Sequence, residues 1–238
     1  MGTTLTIDDL KLDVVYKDIK NVHLSVHPPT GRVRIAAPHK ANPDVVRAFA
    51  ISKLAWIRRQ QRSLLEQERE PPREYEDRES HYVWGRRYLL RIEKKPLPPA
   101  VTLDHRHLVI SVRPEAGADD CEEVLSRWYR TQVRELADEL ISKWEPMLGV
   151  RPNRFYVQRM KTMWGSCTPA TSTIRLNTEL AKKPPECLEY IVVHELAHLI
   201  EPTHSERFVK VMDRAMPNWR NRRRQLSDLP IRHEKWLP

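Results

Sequence analysis

Residues 188–201 read LEYIVVHELAHLIE, and this apolar stretch decides the fold around it. Pro184-Pro185-Glu186 precedes the run and Pro202 follows it, so we predict a helix over residues 186–201 that begins and ends at proline. The flanking apolar residues indicate that this helix is buried rather than lying on the surface. A buried helix needs covering elements, which the rest of the chain must supply.

Two histidines and a glutamate interrupt the apolar helix. His194 and His198 are four residues apart, so their side chains lie on one helix face with Cβ atoms about 5–6 Å apart. That separation allows two imidazoles to hold one tetrahedral zinc ion. Glu195 lies about 100° around the helix from His194, where it can reach a water rather than the ion. The spacing predicts a zinc site, and two hydrogen-bonded core histidines are the alternative.

A third ligand is expected, because a catalytic zinc ion usually has three from the protein. His204 follows Pro202, six residues after His198, so a short turn can return it to the helix end. The alternatives are a surface histidine, or a carboxylate ligand from the next helix, Glu206 or Asp213. The predicted site consists of the metal ligands His194, His198 and His204, with Glu195 as the catalytic base of a zinc-assisted hydrolysis.

Composition narrows the class of protein. The chain has 238 residues, of which 40% are hydrophobic, and no run approaches the roughly 18 apolar residues of a membrane span. The first residues lack the apolar core of a signal peptide. Cys121, Cys167 and Cys187 are odd in number and form no CxxC pair, which excludes a disulfide framework and a four-cysteine zinc ribbon. We expect a cytoplasmic protein without a membrane partner.

The positive charge allows two further functions. Lys and Arg number 41 against 32 Asp and Glu, a net charge of +9 that is spread over both halves. A nucleoside triphosphate would suit such a protein, so phosphoanhydride hydrolysis at the metal is one alternative. The cluster Arg220–Arg224 is either a solvated helix face or a contact for DNA, which makes a DNA-associated protease the other alternative.

The N-terminal half is predicted to be rich in strands. Val22, Leu24 and Val26 alternate with polar residues, and after the turn sequence PPTG the pattern resumes at Val33 and Ile35, which predicts a hairpin. Asn42-Pro43-Asp44 then starts a helix over residues 43–68. Two more strand pairs are predicted, with turns at Gly85 and around residues 104–106.

The second half is predicted to be mostly helical. Apolar spacing predicts a long helix from Cys121 to the neighbourhood of Pro146 and Gly149. Two short strands, at Phe155–Val157 and Thr173–Asn177, are followed by the 186–201 helix and by helices at 204–215 and 217–226. The predicted class is α+β, with an antiparallel β-rich region over residues 1–115 and a zincin-like helical domain with a small sheet over residues 120–238.

The motifs of the second half resemble those of the YgjP-like metallopeptidase family, which is related to the SprT and WLM zinc peptidases. They are K-T-x-W-G-S-C, L-N-x-x-L, P-P, V-H-E-L-x-H, E-P-x-H-S-x-x-F and M-P-x-W, all between residues 158 and 219. The resemblance covers nearly the whole chain and implies a zincin-like second half with zinc on the three histidines and Glu195 as the catalytic glutamate. Met163 departs from the pattern, since the family usually has Arg or Lys there.

Substrate contacts are predicted beside the helix that carries His194 and His198. Trp164 belongs to the Trp-Gly-Ser-Cys motif, which forms either a tight turn with a packed indole or part of the substrate site. Thr173–Asn177 is predicted to be an edge strand, and zinc peptidases commonly bind peptide by adding it to such an edge. The candidate substrate-binding residues are Trp164, Arg175 and Asn177, and the expected substrate is a peptide or protein.

Overall fold

The computed structural model describes residues 2–27, 31–66, 73–161 and 163–230. It divides the chain into two compact units, Met1–Glu68 and Arg69–Pro238. Both units combine sheets with helices, so the α+β class is confirmed. The domain boundary predicted between residues 115 and 120 lies within the second unit, between a strand and the long helix.

The first unit contains a four-stranded sheet. Its strands are β1 (Gly2–Ile7), β2 (Leu10–Lys17), β3 (His23–His27) and β4 (Arg32–Pro38), in the order β1-β2-β4-β3. The predicted hairpin is the antiparallel pair β3–β4, and residues 28–30 of its turn lie outside the described residues. The central pair β2–β4 is parallel, which the alternating pattern does not indicate.

Two helices follow, where the sequence predicts one over residues 43–68. Asn42 caps α1 (Pro43–Ser52) by accepting a 2.8 Å hydrogen bond from the Asp44 amide, and α2 spans Leu54–Glu66. The single-helix prediction is wrong at Lys53. The Ser52 hydroxyl donates to the Phe49 carbonyl at 2.7 Å, and the Lys53 amide bonds Ala50 instead. This local competition for a backbone acceptor bends the helical path.

The second unit begins with a sheet of the same connectivity. Its strands are β5 (Ser80–Val83), β6 (Arg86–Lys94), β7 (Ala100–Leu103) and β8 (His107–Val112), in the order β5-β6-β8-β7. The outer pairs are antiparallel, with the predicted turns, and the central pair is again parallel. The chain therefore contains the same four-stranded arrangement twice, followed each time by helix.

The long helix α3 (Ala118–Leu148) covers this second sheet. It ends at Gly149, whose φ of 68° is the left-handed conformation that glycine adopts most readily. The Tyr129 hydroxyl donates to the Tyr82 carbonyl of β5 at 2.8 Å. One face of α3 is buried along its whole length, through Cys121, Leu125, Tyr129, Val133, Ala137, Ile141 and Trp144.

A three-stranded sheet follows, in the order β10-β11-β9. It consists of β9 (Arg154–Gln158), β10 (Gly165–Thr168) and β11 (Thr173–Asn177). The prediction that Thr173–Asn177 forms an edge strand is wrong, because β10 pairs with one side of it and β9 with the other. The edge strands are β9 and β10, and β10 begins in the Trp-Gly-Ser-Cys motif, where no apolar alternation marks a strand.

Three helices complete the unit: α4 (Pro185–Ala197), α5 (Glu206–Ala215) and α6 (Trp219–Asp228). The predicted helix over residues 186–201 ends four residues early. After Ala197 the chain tightens, since the amides of Leu199 and Ile200 each bond the carbonyl three residues back at 3.0 Å. Among the described residues, no helix has the length and apolar character needed to cross a membrane.

Candidate metal centre

Three histidine rings meet at the C-terminal end of α4. The centroids of His194 and His198 are 4.8 Å apart, and His204 lies 5.0 Å and 4.7 Å from them. One ligand nitrogen from each ring lies within 4.8 Å of the other two. The His194 and His204 Nε2 atoms are 3.0 Å apart, close to the roughly 3.3 Å between two nitrogens on one tetrahedral zinc ion.

A short, internally bonded loop returns His204 to the helix end. The Thr203 hydroxyl donates to Glu201 Oε1 at 2.8 Å, which closes the turn before His204. Ser205 then caps α5, its hydroxyl accepting the Phe208 amide at 3.3 Å. The same capping turn places the Phe208 ring beneath all three imidazoles.

Phe208 also belongs to the site, although the sequence analysis does not name it as a candidate. Its ring centroid lies 5.0, 4.6 and 4.9 Å from those of His194, His198 and His204. The side chain is only 2% exposed, so it forms an apolar floor that restricts the rings to a few orientations. The signal was present in the sequence, as the final residue of the E-P-x-H-S-x-x-F motif.

The environment of His194 and His204 favours the neutral form of imidazole, which is the form that binds metals. Burial lowers the pKa of His194 to about 3, with smaller contributions from His198, His204 and Arg223. Burial also lowers the pKa of His204, assisted by His198 and Arg223. His198 Nδ1 lies 3.1 Å from the Glu201 carbonyl. Donation to that carbonyl leaves its Nε2 lone pair free for a cation.

These observations fit a bound cation. The His194 and His204 Nε2 atoms face each other at 3.0 Å, and one nitrogen of His198 lies within 4.8 Å of both rings' ligand atoms. The two facing Nε2 atoms could share one proton, but such a hydrogen bond would leave His198 without a role. A cation shared by the three rings uses all of them, and three imidazoles are a typical ligand set for a divalent transition metal.

Glu195 follows His194 in α4, and its carboxyl group packs against β10. It is 4% exposed, and burial raises the pKa of its carboxyl group to about 8. A cation bound nearby would favour the carboxylate and oppose this rise. A Cβ atom on Gly165 would come within 2.6 Å of Glu195 Oε1, so only glycine allows β10 to approach the carboxyl group this closely.

The sequence and the geometry agree with one family. The family model described as YgjP-like, metallopeptidase domain, matches residues 20–229. The chain belongs to the YgjP-like family. Membership in a family of metallopeptidases supports hydrolase activity on peptides and implies a divalent metal ion.

Two solved structures are similar to part of this YgjP-like chain. One is the metallopeptidase zymogen abylysin of Pyrococcus abyssi, with 22% identity over 38% of this chain and 90% of that chain, at a TM-score of 0.36. The other is the zymogen jannalysin of Methanocaldococcus jannaschii, with 19% identity over 38% and 92% and a TM-score of 0.34. These scores are too low to define the fold or chemistry of this chain. No curated protein matches it.

The predicted substrate residues of this YgjP-like domain lie in or next to the three-stranded sheet. Trp164 is half-buried, and the Lys183 ammonium lies 5.8 Å from its ring. Arg175 Nη1 donates to Thr168 Oγ1 at 3.1 Å across the sheet. Met163, at the position where the family usually has a cation, is 52% exposed. Contacts of these side chains with a substrate stay a prediction.

Asn177 is buried, and its side chain bonds the backbone of the loop before β10. Its Nδ2 donates to the carbonyls of Met160 and Met163 at 2.9 and 2.8 Å, and its Oδ1 accepts the amides of Met160 and Glu179. These bonds engage the whole amide group. In this structure Asn177 shapes the loop that carries Met163 and precedes Trp164.

The alternative third ligands lie apart from the histidines. Asp213 accepts the Trp219 indole N–H at 2.8 Å and also pairs with Arg220. Glu206 occupies the exposed first turn of α5. Within the ranges that the structure describes, the group able to hold a metal consists of the three histidines.

Proposed function

We propose that this protein is a zinc-dependent metallopeptidase in which His194, His198 and His204 hold the ion and Glu195 is the general base. The observation that carries the proposal is the convergence of three histidine nitrogens within 4.8 Å of one another, at the helix end that also carries the buried carboxyl group of Glu195. An all-nitrogen set of three ligands favours zinc over magnesium or calcium, which prefer oxygen. Bound zinc would supply a Lewis acid and lower the pKa of a water molecule toward 7.

Glu195 is suited to move the protons of the reaction. It neighbours His194 in sequence, but its side chain leaves the helix about 100° away, so it faces the site without being a ligand. Its carboxyl group makes no hydrogen bond with any described residue, which leaves both oxygens available to water. In this proposal it accepts a proton from the attacking water and delivers that proton to the leaving amine.

The outer edge of β10 is the position we propose for the peptide. On its inner side β10 pairs with β11, and no described strand pairs with its other side. A peptide added there would bond the backbone of residues 165–168. Gly165 lies directly against Glu195, so such a peptide would pass close to the base. The sequence analysis assigned this role to Thr173–Asn177, which is the central strand.

The two alternative functions gain no support. The described residues contain no glycine-rich loop at a helix start that could cradle the phosphates of a nucleotide. In the proposed DNA contact, Arg220 pairs with Asp213, and Arg222 donates to Gln225 at 3.4 Å. A cytoplasmic location stays a prediction from the sequence.

The central test is Glu195→Gln in the purified full chain. We expect one zinc ion per wild-type chain, cleavage of a mixed fluorogenic peptide library, and loss of cleavage in Glu195→Gln with the zinc retained. Glu206→Gln is the matched control, because this carboxylate is exposed on α5, and it should keep both zinc and activity. Removal of zinc by a chelator should abolish cleavage, and added zinc should restore it.

Three results would overturn the proposal. They are a wild-type chain that binds no zinc, a Glu195→Gln variant that cleaves peptides at the wild-type rate, and zinc loss in Glu206→Gln. Phosphate release from nucleoside triphosphates and DNA binding at low salt are measured in parallel. Activity in either, without peptide cleavage, would favour the corresponding alternative.

A further inference from the structure

The arginines of α6 differ in what they contact. Arg220 pairs with Asp213, and Arg222 bonds Gln225. Arg223 and Arg224 are exposed, and neither guanidinium has a partner among the residues that the structure describes. Arg223 and Arg224 differ in their direction from the helix, because consecutive residues lie about 100° apart around the helix axis.

The packing of α6 on α4 places Arg223 one helical turn after a contact with α4. The Trp219 ring stacks on Tyr190 of α4 at 6.5 Å with an interplanar angle of 8°. Tyr190 lies one turn before His194, and their rings are 5.8 Å apart. Arg223 follows Trp219 by one turn and shares its helix face. A long helical side chain extends back toward its own N-terminus, here toward the Trp219–Tyr190 stack and His194.

Trp219 is held by two further contacts besides Tyr190. The indole N–H donates to Asp213 Oδ1 of α5 at 2.8 Å, and the Arg220 guanidinium lies 4.6 Å from the centroid of the Trp219 ring. The helix that carries Arg223 is therefore held by both α4 and α5, the two helices that border the histidines.

The charge of Arg223 gives this placement a consequence. Arg223 carries a fixed positive charge on the helix that packs against α4, one turn after the Trp219 ring that stacks on Tyr190. A cation beside a site built for a divalent cation is repulsive. The arrangement becomes favourable when a negative group lies between the two.

We propose that Arg223 is the anion-binding residue of the site and that its guanidinium binds a negatively charged oxygen of the substrate beside the histidines. The inference rests on the proposed function and adds to it a residue from outside the motif that contains His194, Glu195 and His198. Two sources of such an oxygen share this chemistry: the oxyanion that develops on the attacked carbonyl, and the terminal carboxylate of a peptide cleaved near its C-terminus. Arginine suits either one because it offers a planar fork of charged donors.

The test compares Arg223→Ala with Arg224→Ala, its exposed neighbour. Loss of one donor to a developing oxyanion lowers kcat by about 100- to 1,000-fold, and we expect a loss of that size in Arg223→Ala alone, with zinc content unchanged. Arg223→Lys should retain part of the activity, and millimolar guanidinium should partly rescue Arg223→Ala. A merely structural role would not respond to guanidinium.

Paired substrates identify the oxygen. The same peptides are used with a C-terminal amide and with a free carboxylate. An equal loss on both forms assigns Arg223 to the oxyanion, and a loss restricted to free acids assigns it to the terminal carboxylate. An Arg223→Ala variant that equals the wild type on both forms overturns the inference.

A binding measurement separates this inference from the proposed function. A peptide with an anionic phosphonate in place of the cleaved bond is titrated calorimetrically into the zinc-loaded proteins. We expect affinity to fall at least about tenfold in Arg223→Ala and to stay unchanged in Arg224→Ala. This result supports Arg223 even if no cleaved peptide is found. Equal affinities of wild type and Arg223→Ala, or no binding to either, overturn it, whereas failure of the proposed function appears as absent zinc or absent cleavage.

Discussion

A single methyl group added at Gly165 tests the close approach of β10 to α4. An ideal Cβ atom there would lie 2.6 Å from Glu195 Oε1 and 2.8 Å from Ile191 Cγ2. Ordinary van der Waals contact needs roughly 3.5 Å, so the Glu195 carboxyl group would have to move by about 0.9 Å. A misplacement of about 1 Å in a reacting group can cost on the order of 100-fold in rate.

We therefore expect Gly165→Ala to lower kcat by about 100-fold. The histidine rings are not among the atoms nearest to the added methyl group, so the zinc content should not change. Overpacking of this kind costs about 1–3 kcal/mol. In a protein of this size each kcal/mol lowers Tm by roughly 2–4 °C, so a measurable but modest decrease is expected.

The assay combines steady-state cleavage of a fluorogenic peptide, zinc analysis and thermal unfolding. Gly117→Ala is the control, because a Cβ atom there meets nothing closer than Asp120 Oδ2 at 4.0 Å. It should leave kcat unchanged. If Gly165→Ala binds zinc and keeps the wild-type kcat, the position of the Glu195 carboxyl group does not limit the reaction, and the role assigned to it is refuted.

Two further substitutions test the surroundings of the site. Phe208→Ala removes the ring that packs against the three imidazoles, so we expect zinc affinity to fall about 10- to 100-fold and the free energy of unfolding to fall by about 3–5 kcal/mol. Phe208→Leu should keep most of the zinc affinity and most of the stability. Unchanged zinc affinity in a folded Phe208→Ala would contradict this expectation. Asn177→Ala leaves the carbonyls of Met160 and Met163 without their partner, which should cost about 1–3 kcal/mol in chemical denaturation and raise KM more than it lowers kcat. Wild-type stability would show that the loop does not depend on Asn177.

The parts of the fold that follow from the sequence are those with a strong local signal. The helix around His194 and His198 is an apolar run between prolines, and the long helix α3 has regular apolar spacing; both are present. Their partners do not follow from local patterns. β10 is four residues of Gly-Ser-Cys-Thr, and it is a strand only because α4 and β11 provide its neighbours.

Other features depend on one hydrogen bond or on distant contacts. The interruption at Lys53 results from the Ser52 hydroxyl, whose choice of acceptor no apolar pattern reveals. The parallel central pairs of the two larger sheets depend on how two hairpins associate. In the site, the motif predicts the spacing of the histidines, but the position of the Phe208 ring against all three imidazoles depends on how α5 packs.

The second sheet carries no residue of the candidate site, yet it supports the helix that does. The turn between β5 and β6 donates the amides of Trp84 and Gly85 to the carbonyls of Ala181 and Lys182 at 2.7 and 3.2 Å, just before α4 begins. Farther along α4, the Glu189 carboxylate accepts hydrogen bonds from two residues of α3, the Lys143 ammonium at 2.7 Å and the Trp144 indole N–H at 3.1 Å.

These contacts connect α4 to the sheet at its start and to α3 near its middle. The C-terminal turn of α4 is the end that faces the metal centre. A metal site needs its ligands held on rigid elements. The sheet and α3 thus act at a distance, by fixing the helix on which His194, Glu195 and His198 are arranged.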